Sequence, residues 1–205
     1  MLRLLLLLFS IIPHLIFSLE NNKNSLTTKA NGGTEIAIVA GGCFWCVQAD
    51  FDKLEGVTKT VVGYDGDNDK TTTYEKVSSG KTQFVESTKI FFNPQKISYS
   101  EILNYFWKHV DPTNNEGQFC DKGKQYRTVI FYLNESQKKL AIQSKEKIKE
   151  KFNNVATDVI PSTNFVTAEE YHQNYYKKNP IRYTYYRKSC GRDARVKEVW
   201  NEKSN

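Results

Sequence analysis

The sequence predicts an α+β fold, a two-layer sandwich in which a mixed, mainly antiparallel sheet is covered by helices in a ferredoxin-like roll. Two observations indicate it. Segments in which every second residue is apolar, typical of strands, are mixed with segments of helical periodicity. The spacings between successive strand segments also allow hairpins. Because the chain has 205 residues, of which 39% are hydrophobic, it can bury one substantial core, and we expect a single domain at residues 35–205.

The first strand and the first helix meet at a cysteine. Apolar side chains alternate along residues 35–40, and two glycines follow directly, which predicts a strand that feeds a tight turn. Apolar residues then recur at helical spacing over residues 44–54, and Gly56 predicts the end of that helix. Cys43 is therefore expected at a helix N-terminus.

Four more strands are predicted, at residues 57–64, 82–92, 125–133 and 155–160. In the second of these segments, Glu86 shares a face with Phe84, Thr88, Ile90 and Phe92. A carboxyl group among such neighbours is expected to be buried. The alternative is an edge strand whose carboxylate points to water.

Two helices have clear start signals. Ser98 and Glu101 form a capping-box pair, which predicts a helix through Val110. Asn134 precedes a long Lys-rich helix. Its predicted inner face consists of Leu140, Ala141, Ser144, Ile148 and Phe152.

The remaining segments are less regular. Residues 111–124 show no periodicity and are predicted to be a loop. Thr167 with Glu170 predicts the start of a short helix that runs through Tyr176. The aromatic and basic segment after Pro180 is expected to be a flexible tail.

The charge pattern argues against nucleic acid as a partner. The formal net charge of +6 arises from 29 basic and 23 acidic residues, and much of the excess lies in the helix after Asn134. Its lysines alternate with Glu146 and Glu150, as on a solvated helix face, and no aromatic platform interleaves with them. We also expect a monomer, and the three histidines form no metal-binding pattern.

The N-terminal segment predicts export. Residues 1–18 combine a basic start with an apolar stretch that ends at Ser18, a pattern typical of a secretory signal peptide. The stretch is shorter than the ~20 residues that span a bilayer, so we expect cleavage and no stable membrane insertion afterwards, the alternative being an uncleaved anchor. Residues 19–34 are predicted to be a flexible linker. The expected location is the periplasm in a bacterium, or the secretory pathway or extracellular space in a eukaryote.

The sequence has four cysteines that could form disulfides or act as nucleophiles: Cys43, Cys46, Cys120 and Cys190. In an oxidising compartment they allow three full disulfide pairings, between which the sequence does not choose. Because a helix N-terminus favours a thiolate, Cys43 is predicted to be a nucleophile. Three alternatives stay open: a structural disulfide between Cys43 and Cys46, a general thiol-disulfide oxidoreductase that uses this pair, and a zinc site.

The segment from Gly42 to Trp45 resembles the signature of A-type peptide methionine sulfoxide reductases. The resemblance continues in order through Gly63, Tyr64, Tyr74, Gly80, Glu86, 106–112, 121–127 and 171–180. It implies an oxidoreductase that reduces methionine S-sulfoxide in proteins and as the free amino acid. It also implies no bound cofactor and no metal, with electrons supplied by thioredoxin or an equivalent dithiol.

The resemblance assigns the central roles to Cys43 and Glu86. Cys43 would attack the sulfoxide sulfur and become a sulfenic acid. Glu86 would protonate the departing oxygen, and burial among apolar neighbours would keep its proton available by raising its pKa. Thiol-disulfide exchange by the Cys43 and Cys46 pair would not require this carboxyl group.

The resemblance also predicts the residues that hold the substrate and complete the reaction. Phe44 and Trp45 match an apolar slot for the substrate methyl group. Tyr74 and Tyr126 match tyrosines that bond to the sulfoxide oxygen, and Asp121 matches a carboxylate of the site. A second thiol must resolve the sulfenic acid, and the candidates are Cys190, which the family pattern favours, Cys46 and Cys120.

Overall fold

The computed structural model describes residues 33–201, so the predicted signal peptide and most of the predicted linker lie outside the described residues. The strands are β1 (Glu35–Gly41), β2 (Val57–Asp65), β3 (Val85–Phe92), β4 (Gly117–Gln118), β5 (Asp121–Lys122), β6 (Thr128–Tyr132), β7 (Asp158–Pro161) and β8 (Val166–Thr167). Six of them form one sheet in the order β7-β6-β1-β3-β2-β8, and β4 with β5 forms a separate hairpin. Neighbours in the sheet are antiparallel except β6 and β7, which are parallel. The predicted mixed, mainly antiparallel sheet is confirmed.

The helices are α1 (Phe44–Phe51), α2 (Tyr74–Ser78), α3 (Tyr99–Trp107), α4 (Glu135–Lys149), α5 (Tyr175–Lys178), α6 (Pro180–Ser189) and α7 (Arg192–Asn201). The predicted capping box is present before α3, where Ser98 Oγ accepts the N–H of Glu101 at 3.2 Å and Glu101 Oε2 accepts the N–H of Ser98 at 2.8 Å. Asn134 Oδ1 accepts the N–H of Gln137 at 2.9 Å and so caps α4. None of the helices within residues 33–201 combines the length and apolarity needed to cross a bilayer.

Both faces of β1 are buried. Ala37 and Val39 belong to the core that the sheet forms with α1, α3 and α4. Ile38 and Ala40 lie in a second apolar cluster, to which β6 also contributes. Because β1 is central in the sheet, Cys43, just beyond its end, lies in a protected position.

The predicted helix from Thr167 to Tyr176 is wrong. Thr167 belongs to β8, which pairs with β2. The chain stays attached to β2 because the Gln173 side chain accepts the N–H of Val62 at 3.0 Å and donates to its carbonyl oxygen at 2.9 Å. Asn174 then adopts a left-handed φ of 54°, and α5 begins only after it.

The segment after Pro180 is also not the predicted flexible tail, because it forms α6 and α7. Pro180 is the first residue of α6, where its fixed φ favours a helix start. Tyr183 packs in an apolar cluster with Cys46, and Arg187 Nη1 lies 2.8 Å from Asp50 Oδ1. These partners belong to α1, so local periodicity did not indicate them.

Besides β8, α6 and α7, two short elements were not predicted, the helix α2 and the hairpin β4–β5 inside the segment predicted as a loop. The other predicted strands and the helices α1, α3 and α4 are confirmed with ends shifted by a few residues. Both unpredicted elements carry side chains of the site described next.

Candidate active site

Cys43 lies between β1 and α1 and is the N-cap residue of α1. The preceding Gly42 has a φ of +81°, and a Cβ there would lie 2.6 Å from Cβ of Gln118. The left-handed backbone and the crowding both require glycine. The turn leaves the Cys43 side chain inside the protein, 7% exposed.

Glu86 lies beside the first turn of α1. It is opposite Tyr64 in the pairing of β2 with β3, and its Oε2 accepts the N–H of Phe44 at 3.0 Å. The residue is 3% exposed. Burial raises the pKa of Glu86 to about 8, although the hydrogen bond from Phe44 opposes the change. The carboxyl group therefore keeps a proton at neutral pH.

A backbone amide at the start of α1 is already bonded. The N–H of Phe44 bonds to Glu86 at 3.0 Å. Burial, followed by the contact with Cys46 and the charges of Glu86 and Asp121, raises the pKa of Cys43 well above its usual value. Burial therefore favours the thiol form of Cys43 and opposes the predicted thiolate.

Eight side chains enclose a cavity of about 70 Å³. They are Cys43, Phe44, Trp45, Tyr74, Glu86, Asp121, Tyr126 and Tyr186. All seven residues to which the sequence assigned catalysis or substrate binding are among them, and Tyr186 is an addition. One water occupies about 30 Å³ in the liquid, so the cavity accepts the tip of a side chain.

Two hydroxyl groups can donate hydrogen bonds into the cavity. Tyr74 is the first residue of α2, and Tyr126 lies in a 3₁₀ turn just before β6. Burial raises the pKa of Tyr74 to about 12 and raises the pKa of Tyr126 as well. Both phenols therefore stay protonated and can act as donors.

Asp121 and Tyr186 close the side of the cavity next to the thiol. Tyr186 OH donates to Asp121 Oδ2 at 2.6 Å and also contacts the Cys43 side chain. Burial raises the pKa of Asp121, and the bond from Tyr186 opposes the change. Asp121 comes from β5 and Tyr186 from α6, so this wall forms only when the hairpin and the C-terminal helices meet.

An aromatic wall lies opposite. The Trp45 indole stacks on Tyr175, with ring centroids 3.8 Å apart and planes 9° apart. Trp45 Nε1 donates to His172 Nδ1 at 3.1 Å, and the Phe44 ring lies 5.0 Å from the His172 ring. Burial lowers the pKa of His172, which keeps the imidazole neutral and able to accept this bond. Sequence reasoning missed His172 and Tyr175 in this role, and the only signal was their place in an aromatic-rich segment.

The four cysteines fall into two pairs. Cys120 and Cys190 form a disulfide with an S–S distance of 2.07 Å, whereas Cys43 and Cys46 are free. Cys46 is 2% exposed and its side chain is hydrogen-bonded to that of Cys43. This bond, followed by the charges of two arginines, lowers the pKa of Cys46 against the effect of burial.

The same pairing argues against zinc held by all four cysteines. Within the described part of the chain, potential metal ligands gather in one group of three, Cys120, Asp121 and Cys190, whose ligand atoms lie within 4.8 Å of one another. Two of these atoms are the sulfurs bonded to each other in the disulfide. Zinc requires free thiolates, so this group offers it only one ligand.

Known proteins resemble the chain over nearly the whole of this domain. The family model of peptide methionine sulfoxide reductases matches residues 35–204. Peptide methionine sulfoxide reductase MsrA of Bacillus licheniformis is 44% identical over 172 residues, which are 82% of this chain and 95% of that protein.

Solved structures share the fold. Methionine sulfoxide reductase A of Corynebacterium diphtheriae aligns with a TM-score of 0.70 and 26% identity, over 75% of this chain and 78% of that one. Reduced Mxr1 of Saccharomyces cerevisiae aligns with a TM-score of 0.68 and 32% identity, over 72% of this chain and 87% of that one. Mxr1 in complex with Trx2 aligns with a TM-score of 0.51 and 25% identity, over 69% and 84% of the two chains. The sequence match, the shared fold and the cavity around Cys43 agree, and the chain belongs to the A type of the peptide methionine sulfoxide reductase family.

Proposed function

We propose that the chain reduces the S epimer of methionine sulfoxide, in proteins and as the free amino acid, in the cavity around Cys43. The observation that carries the proposal is that a thiol and a carboxyl group that keeps its proton line the same cavity of about 70 Å³. Removal of oxygen from sulfur requires a proton donor. A thiol-disulfide exchanger requires cysteines but no such acid, so Glu86 favours the reductase over that alternative.

In the first step the Cys43 sulfur bonds to the sulfoxide sulfur, while Glu86 gives its proton to the sulfoxide oxygen. The hydroxyl group then leaves the substrate sulfur with the electron pair of the S–O bond and bonds to the Cys43 sulfur, while the bond between the two sulfurs breaks and methionine leaves with its electron pair. The thiol proton passes to Glu86 and restores it. The substrate sulfur is reduced by two electrons, and Cys43 is oxidised by two electrons to a sulfenic acid.

The walls of the cavity orient the substrate for this step. Tyr74 and Tyr126 donate hydrogen bonds to the sulfoxide oxygen, where negative charge develops as its bond to sulfur breaks. Phe44 and Trp45 contact the terminal methyl group, whose burial excludes water from the reacting atoms. Asp121 accepts the hydroxyl of Tyr186, which packs against the cluster that contains Cys43, and so helps to fix the position of the sulfur.

Cys46 then resolves the sulfenic acid. Its sulfur attacks Cys43–SOH, which forms a Cys43–Cys46 disulfide and releases water. Cys46 is one helical turn from Cys43, already in contact with it, and has the lowered pKa that an attacking thiol needs. Cys190, the candidate that the family pattern favours, is bonded to Cys120 in this structure and offers no free thiol.

A dithiol protein of the thioredoxin type completes the cycle by two-electron exchange with the Cys43–Cys46 disulfide. Mxr1, which shares this fold, has been solved in complex with Trx2. In a multiple-turnover assay with thioredoxin, Cys46→Ser should release one methionine per chain and stop. Cys120→Ser/Cys190→Ser should continue to turn over. Continued turnover by Cys46→Ser would contradict this division of roles.

The activity itself is tested with resolved epimers of methionine sulfoxide and dithiothreitol. We expect consumption of the S epimer only, loss of activity in Cys43→Ser and a large loss in Glu86→Gln. Glu170→Gln is the matched control, since Glu170 is exposed and pairs with Lys178 at 2.7 Å. Reduction of a protein disulfide without consumption of either epimer would support the exchanger instead.

We also propose that the chain is exported, loses residues 1–18 and acts as a monomer. The Cys120–Cys190 disulfide supports this location, because Cys120 is exposed and such a bond persists in an oxidising compartment. N-terminal sequencing of the mature protein should begin at Leu19, and a chain that still begins at Met1 would refute cleavage. Light scattering after size-exclusion chromatography measures the oligomeric state.

A further inference from the structure

Tyr74 is the first residue of α2, a helix that is too short to be stable by itself. α2 has only five residues. The side chain of its N-cap residue, Thr73, makes no capping bond. The far end of α2 is anchored, because Val77 is buried and Ser78 O accepts a hydrogen bond from Gln125 Nε2 at 3.1 Å. The end that carries Tyr74 needs an anchor from another part of the chain.

Glu169 supplies that anchor. Its Oε1 accepts the N–H of Tyr74 at 2.8 Å, and its Oε2 accepts the hydroxyl of Tyr64 at 2.8 Å. Tyr64 is fully buried on β2, and its ring centroid lies 5.9 Å from that of Phe44. One carboxylate therefore ties the start of α2 to a rigid strand that also supports the methyl slot.

The Glu169 carboxyl group is suited to this task as a carboxylate. Burial alone would raise its pKa, but the N–H of Tyr74, its own N–H and the hydroxyl of Tyr64 lower it overall. Hydrogen bonds to an ionised acceptor are about twice as strong as bonds between neutral groups. Glu169 is not among the residues that line the cavity, so it acts on the reaction only through others.

We infer that Glu169 is a positioning residue of the reductase, which fixes the Tyr74 hydroxyl where the sulfoxide oxygen binds. The inference rests on the proposed function and deepens it. The main chain of Glu169 serves the opposite wall, since its carbonyl oxygen accepts the N–H of His172 at 2.9 Å. A side-chain substitution leaves that bond in place, so it should disturb the oxygen side of the cavity more than the methyl side.

Glu169→Ala should lower kcat by about 10- to 100-fold, because a displacement of about 1 Å in a reacting group has effects of this size. KM should change by less than about threefold, since the methyl slot is kept. Glu169→Gln should recover most of the rate, because its amide oxygen still accepts the N–H of Tyr74. Glu170→Ala is the matched control: the neighbouring carboxylate is exposed and bonds only to Lys178 among the described side chains.

The decisive measurement is a double-mutant cycle with Tyr74→Phe. If Glu169 acts through the Tyr74 hydroxyl, Glu169→Ala should cost less than about threefold in the Tyr74→Phe background. An equal loss in both backgrounds would overturn the inference, as would a wild-type rate in Glu169→Ala. Thermal unfolding of each variant separates a misplaced hydroxyl from an unfolded chain. If the wild-type chain itself consumed no sulfoxide, the proposed function would fail first, so the two failures are distinguishable.

Discussion

Glu86→Gln removes the proton that Glu86 supplies but keeps the shape of the side chain and its hydrogen bond in the fold. Glutamine has nearly the shape of the protonated acid and keeps an oxygen for the N–H of Phe44, but it has no acidic proton to give. We expect a loss of about 10²- to 10⁴-fold in kcat/KM, the usual contribution of a positioned general acid. The wild-type chain should also lose activity as the pH rises through the pKa of Glu86, about 8. From pH 7 to pH 9 the protonated fraction of such a group falls about tenfold, and kcat/KM should fall with it.

Glu86→Gln should lower the activity but raise the stability of the chain at high pH. The pKa of Glu86 rises from 4.5 in the unfolded chain to about 8 in the folded one, so between these values the folded state binds the extra proton. Its contribution to stability is therefore fully present below about pH 4.5 and is lost as the pH rises toward 8. Each unit corresponds to about 1.4 kcal/mol, so the full difference is on the order of 5 kcal/mol. Glu86→Gln does not ionise and should be several kcal/mol more stable than wild type at pH 8.5, but not at pH 5.

Two assays check the pair of effects. Initial rates with the S epimer from pH 6 to pH 9.5 give kcat/KM, and urea unfolding at pH 5, 7 and 8.5 gives the free energy of unfolding. Glu170→Gln, an exposed carboxylate, should follow wild type in both. A wild-type rate that stays flat between pH 7 and pH 9 would refute Glu86 as the proton donor. A stability difference that does not grow with pH would refute its burial as the cause of the raised pKa.

Three further predictions concern the surroundings of Cys43. Gly42→Ala should destabilise the fold by about 1–3 kcal/mol in urea, because alanine is strained at a φ of +81° and its Cβ would lie 2.6 Å from Gln118. Trp45→Ala should raise KM by about tenfold or more and change kcat less, since it removes the surface that contacts the methyl group before and during the reaction. Steady-state kinetics with the S epimer would show it, and an unchanged KM would contradict the slot. Cys120→Ser/Cys190→Ser should lower the free energy of unfolding by about 2–4 kcal/mol while turnover continues; loss of turnover in this folded variant would place the pair in catalysis.

Much of the fold could be predicted because its signals are local. The alternation in β1, the glycine turn before Cys43 and the Ser98–Glu101 capping box each lie within a few residues of the element they determine. The C-terminal helices could not be predicted in this way. Their stabilising partners are distant in sequence, as in the contact of Arg187 with Asp50. The sequence of this aromatic and basic segment does not indicate which distant residues it packs against.

The same difference between local signals and distant contacts applies to the active site. The seven residues to which the resemblance assigned catalysis or substrate binding all line the cavity, but Tyr186, His172 and Tyr175 come from segments whose fold was not predicted. The prediction of a thiolate rested on a local rule as well. A free helix N-terminus would favour a thiolate, but Glu86 bonds to the amide of Phe44, and burial and the nearby carboxyl groups raise the pKa of Cys43. A local rule for helix ends could not anticipate two carboxyl groups brought there by β3 and β5.

The raised pKa values of Cys43 and Glu86 keep in the cavity the two protons that the proposed first step moves. Burial opposes a thiolate in this cavity, and so would any negative charge on the neighbouring carboxyl groups. The step converts a thiol and a sulfoxide into a sulfenic acid and a sulfide with no net change in protons. The step therefore needs no proton from solvent: one proton moves from Glu86 to the oxygen, and one moves from Cys43 to Glu86.

Cys46 has the opposite surroundings. Arg192 and Arg187 lower its pKa, together with the hydrogen bond from Cys43. These arginines also pair with Asp50 on α1, with N···O distances of 3.6 and 2.8 Å, and so hold their charge beside this helix. Burial and carboxyl groups raise the pKa of Cys43, whereas the contact with Cys43 and the guanidinium groups lower that of Cys46. The order in which the thiols react follows from their places: Cys43 lines the cavity and reacts with the substrate, and Cys46, which is not among the lining residues, attacks the sulfenic acid afterwards.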